Sequence, residues 1–134
     1  MAAGNPPDVA FAKSRLIRRG LSPRVLQRVR EYVEAHLEDN VTMHALANIA
    51  GLSISYFSRA FRESEGLTPH RYLMQCRLLR ALELLVRTEL PLCEIARASG
   101  FSDQSHCTRR FQEHFGVTPG RYRQLMGEDV NRPR

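Results

Sequence analysis

No apolar run in this chain approaches the ~20 residues that a membrane span requires, and its N-terminus lacks the apolar core of a secretory leader. A membrane partner is therefore not expected, and a soluble, cytoplasmic protein is. Cysteine is sparse: Cys76, Cys93 and Cys107 are odd in number, lie on apolar helical stretches and include no pair at metal-ligand spacing. This pattern fits a reduced interior and offers no metal site. The chain has no glycine-rich phosphate loop and no paired carboxylates, so neither a catalytic residue nor a cofactor is expected. A thiol hydrolase would need Cys93 or Cys107 beside a histidine base, and nothing else in the sequence accompanies that chemistry. The 134 residues leave room for one modest core or two small ones, which excludes a large multi-domain enzyme.

Lysine is also nearly missing. Lys13 is the only one, and every other basic residue is arginine. Lys and Arg outnumber Asp and Glu by 20 to 14, for a formal net charge of +6. A basic balance of this size favours polyanionic partners, and arginine presents a forked set of donors to phosphates and to guanine edges. The hydrophobic fraction of 43% and charged fraction of 25% are those of a globular chain, with disorder expected only at the ends.

Helix punctuation organises the rest. Residues 1–20 carry Gly4, Pro6, Pro7 and a basic group (Lys13, Arg15, Arg18, Arg19) without amphipathic periodicity, and are expected to form a flexible tail. Ser22-Pro23 opens a helix with apolar residues at Leu26, Val29, Val33 and Leu37, expected to end near Asn40. Thr42 caps a short second helix that stops at Gly51, and Ser53 opens a third, whose buried side is marked by Phe57 and Phe61. Gly66-Leu67-Thr68-Pro69 stops it and caps a long helix running to about Thr88, with Leu73, Leu79, Leu82 and Leu85 expected in the core and Arg77, Arg80 and Arg87 partly exposed. Pro91 restarts the chain: a short helix ends at Gly100, Ser102 is expected to cap another bearing Cys107, Phe111 and Phe115, and Gly116-Val117-Thr118-Pro119 stops it. The expected fold is all-α, about seven helices in two helix-turn-helix subdomains (21–68 and 90–126) joined by a linker helix (69–89), with a C-terminal tail from 127 to 134.

The second half repeats the first. A shift of 49 residues places Gly51 on Gly100 and Ser53 on Ser102. A shift of 50 then places Ser55 on Ser105, Arg59 on Arg109, Phe61 on Phe111, Gly66 on Gly116, Thr68-Pro69 on Thr118-Pro119 and Arg71-Tyr72 on Arg121-Tyr122, so one extra residue sits at the start of the later helix. Agreement at this density implies two copies of one supersecondary unit. Shared caps and core phenylalanines alone would not reproduce a polar face. Ser55, Ser58, Arg59 and Arg62 follow i, i+3, i+4, i+7 spacing opposite Phe57 and Phe61, and the second copy presents Ser105, Thr108, Arg109 and Gln112. Small hydroxyls beside an arginine suit a helix lying in a major groove; a merely solvated helix face is the alternative. A helix of about 20 residues is ~30 Å long, close to the ~34 Å between successive major-groove openings on one face of DNA.

The segment Leu46 to Tyr122 resembles the DNA-binding domain of AraC/XylS-type transcription regulators. The likeness is carried by Ile95-Ala96, by Gly100-Phe101-Ser102-Asp103-Gln104-Ser105-His106, and by Arg109, Phe111, Phe115-Gly116, Thr118-Pro119 and Tyr122; it extends over roughly residues 22–125. The resemblance implies binding to asymmetric sites in double-stranded DNA, usually as an activator, with the third and sixth helices in adjacent major grooves and with RNA polymerase as a partner. By residue matching it places Ser55, Ser58 and Arg59 at base-contacting positions of the first reading helix (about 53–64). In the second (about 103–115) it places Gln104, Ser105, Thr108 and Arg109 there. Two departures stand out: Ser55 is small where the family often has a larger residue, and Cys107 takes the slot of Phe57. Cys107 is either a small buried hydrophobe or a redox-sensitive thiol, and His106 either meets phosphate or covers the core. A helical protein-protein adaptor is the competing function; it predicts no salt-sensitive affinity for DNA.

Overall fold

The computed structural model describes residues 20–131, so the expected basic tail, Gly20 apart, lies outside the described residues. Among the described residues there are seven helices and no strand: α1 (Pro23–Ala35), α2 (Met43–Ala50), α3 (Ile54–Glu65), α4 (Pro69–Arg87), α5 (Leu92–Ala98), α6 (Gln104–Phe115) and α7 (Pro119–Asn131). The described residues form two compact units, 20–36 with 41–73 and 37–40 with 74–131. The division falls within α4, so the linker helix is shared between the units and is no separate spacer.

In the first unit the caps fall where the sequence places them. Ser22, Thr42 and Ser53 side chains accept from the N–H groups of Val25, Ala45 and Tyr56 at 3.2, 3.0 and 3.2 Å. Gly51 ends α2 in the left-handed conformation at φ 70°, which makes the tight turn into α3 cheap. Val29, Val33, Leu46, Ala47, Phe57, Ala60 and Phe61 are buried, and Phe61 meets Tyr72 edge-on at 5.2 Å. Arg30 forms an ion pair with Glu65 on the rim of this unit.

The second unit repeats the packing: Phe111 meets Tyr122 edge-on at 6.1 Å, over a core of Leu78, Ala81, Leu85, Ile95, Ala96, Phe101 and Cys107. Its bulk is redistributed. Cys107 is small where the first copy has Phe57, and Phe115, 50 residues after Glu65, lies against Phe111 with ring centroids 4.5 Å apart.

Four expectations are corrected. Helix α1 ends at Ala35, not near Asn40: the His36 N–H closes on the Tyr32 and Val33 carbonyls, and the Arg77 guanidinium takes the Leu37 and Asp39 carbonyls at 3.3 and 3.0 Å. That turn also packs against Gly100 (φ 94°), where a Cβ would collide with the Leu37 carbonyl oxygen, whereas a Cβ on Gly51 would meet open space. The cap of α6 is Asp103, not Ser102; its carboxylate accepts from the His106 N–H at 2.8 Å. The extra residue of the second copy thus precedes the cap, and a carboxylate there also suits the positive end of the helix dipole. On α4 the buried stripe is Leu73, Leu78, Ala81 and Leu85; Leu79, about 100° further round the helix from Leu78, is 50% exposed. Finally, α7 continues to Asn131 where a tail from 127 is expected.

Candidate nucleic-acid interface

Phe57, Ala60 and Phe61 fix the roll of α3 by burying one side of it. The opposite side is left outward: Ser55, Arg59 and Arg62 are exposed and Ser58 is half-buried. In α6, Cys107 and Phe111 are the buried anchors, and Gln104, Ser105, Arg109 and Gln112 are exposed with Thr108 half-buried. Each helix therefore gathers its own expected polar residues on one face, with the same exposure pattern at Ser55/Ser105, Ser58/Thr108 and Arg59/Arg109.

Four arginines outside these two faces are engaged in ion pairs. Arg30, Arg87, Arg97 and Arg110 each lie within ion-pairing distance of a glutamate, at 3.8 Å for Arg87–Glu83, 2.7 Å for Arg97–Glu94 and 3.2 Å for Arg110–Glu113. Among the described residues no carboxylate pairs with Arg59, Arg62 or Arg109. Their charge is left for a ligand to neutralise, and an exposed guanidinium is well suited to phosphate oxygens or the acceptor edge of guanine.

Two residues on α3 were not singled out by sequence: Ile54 and Tyr56 are 45% and 49% exposed and flank the polar face. Tyr56 lies under the Arg59 guanidinium, 5.1 Å from the ring centroid. Large apolar types one step to either side of a polar stripe were the signal available. At the place of Tyr56, His106 of the second copy instead turns onto Phe101, edge-on at 5.4 Å, with Nδ1 3.3 Å from the Ser102 hydroxyl, so it covers the core. Burial pushes the Cys107 thiol up to about 11, which leaves it protonated and a poor nucleophile near neutrality. Among the described residues no cluster of metal-ligating side chains occurs, and no helix is long and apolar enough to cross a membrane.

Two outward polar faces on repeated helix-turn-helix units define a DNA-binding class of protein, and known proteins bear this out. The helix-turn-helix domain family matches residues 46–125. The chain is 37% identical over 93 residues to the transcriptional activator RhaS of Escherichia coli, covering 69% of this chain and 34% of RhaS. It is 32% identical over 117 residues to the regulatory protein PocR of Salmonella typhimurium, covering 86% of this chain and 39% of PocR. Among solved structures, the DNA-binding domain of the global transcriptional factor AdpA, in complex with a target DNA, superposes with a TM-score of 0.72 at 28% identity, covering 81% of this chain and 96% of that one. The chain belongs to the AraC/XylS family of transcription regulators, as a DNA-binding domain and not an enzyme. It spans only about two fifths or less of the length of these two curated relatives.

Proposed function

We propose that the chain is a sequence-specific activator of transcription that acts in the cytoplasm, lays α3 and α6 in successive major grooves of one asymmetric site, and works with RNA polymerase. The observation that carries this reading is the repeated face: Ser55, Ser58, Arg59 and Arg62 on α3, and Gln104, Ser105, Thr108, Arg109 and Gln112 on α6, with arginines that no carboxylate among the described residues neutralises. Activation is supported by the likeness to RhaS, itself a transcriptional activator. None of the relatives described above favours the adaptor reading.

The test is a titration on an operator obtained by binding-site selection, repeated across salt concentrations. If arginines neutralise phosphates, log K falls linearly with log salt, with a slope near −0.9 per phosphate contact. A flat response would leave only the adaptor reading.

A further inference from the structure

We propose that Tyr56 is a positioning residue for Arg59, holding its guanidinium over the phenol ring so that the forked donors are oriented before DNA arrives. This rests on the reading of Arg59 as a base-contacting residue. Tyr56 stands three positions before Arg59, the spacing at which helix side chains are neighbours, and the guanidinium carbon lies 5.1 Å from its ring centroid. The phenol is 49% exposed, far more than its place beside buried Phe57 requires, so packing of the core does not account for a large aromatic there. Nor is the arginine restrained by charge, because no carboxylate among the described residues pairs with it.

An unrestrained arginine loses much rotamer freedom when it forms a bidentate contact, and a ring beneath it lowers that loss while leaving the donor edge clear. The neighbouring Ser55 and Ser58 are too short to orient the guanidinium from the other side. In the second unit the equivalent ring, His106, is turned away onto Phe101. The device therefore belongs to the first reading helix, where it adds discrimination that Ser55 is too small to supply.

The experiment measures affinities for the selected operator and for its single-base variants at the position read by Arg59, after circular dichroism confirms the fold of each protein. Tyr56→Ala is expected to lower the ratio of correct to incorrect affinity about two- to fivefold, the range of an exposed cation–π contact. Tyr56→Phe, which keeps the ring, is expected to retain it, and neither change to alter the salt slope, since no charge is removed. In an Arg59→Ala background, Tyr56→Ala is expected to add nothing. An unchanged ratio in Tyr56→Ala, or an equal loss in both backgrounds, would overturn the positioning role while leaving Arg59 a reader. If Arg59→Ala by itself changes no ratio, the assignment of Arg59 fails, and the role of Tyr56 falls with it.

Discussion

Cys107 occupies a core position that demands a neutral group, and its chemistry follows from that. Burial raises its pKa from 9.0 to about 11, so the folded state disfavours the thiolate. The sign of the linkage is fixed: a folded pKa above the unfolded one contributes stability that is complete below about pH 9 and lost as pH rises through 11. The gap corresponds to at most ~3 kcal/mol. Denaturant unfolding of the wild type and Cys107→Ala between pH 8 and 11 should therefore give curves that converge, the wild type losing the larger share. Parallel curves would mean that the thiol is not held neutral by the core. The sequence showed a small residue in the place of Phe57 but not how Phe115 packs on Phe111, because Phe115 stands at the repeat position of Glu65, where the first copy has no aromatic to match.

Helix ends were legible where a single local capping residue is present and illegible where the cap comes from far along the chain. Ser22, Thr42 and Ser53 bond to N–H groups three residues away, a relation that spacing alone reveals. The end of α1 is set by Arg77, some 40 residues on, and no pattern within α1 announces it. The Leu-rich α4 misled for another reason: with leucines at both 78 and 79, periodicity cannot say which faces inward until the neighbours are in place. At α6 two adjacent capping types compete, and the structure selects Asp103 over Ser102. Asp103→Ala should then cost about 1 kcal/mol in thermal or denaturant unfolding, and Ser102→Ala a few tenths at most, since its hydroxyl meets only the His106 ring. A reversed order of the two effects would return the cap to Ser102. The polar faces on α3 and α6 were fully legible, because they follow from helical period and buried phenylalanine alone; Tyr56 was not, since its partner is a side chain and not the core.

At the scale of the molecule, duplication explains why one chain carries two outward polar faces of related but unequal chemistry. The shared features, a capped helix, an edge-on Phe–Tyr contact and an exposed arginine, keep each unit competent to present its helix. The differences, Ser55 with Tyr56 against Ser105 with His106 and Arg62 against Gln112, are what unequal half-sites would require. The most direct measurement of that claim is binding-site selection with the wild type, Arg59→Ala and Arg109→Ala. Each mutant should relax base preference at a different end of one asymmetric site, with a loss of about 1–3 kcal/mol on the wild-type operator if each arginine makes a bidentate guanine contact. Identical profiles for the two mutants, or profiles unchanged from the wild type, would contradict the account of two helices that each read their own half of the site.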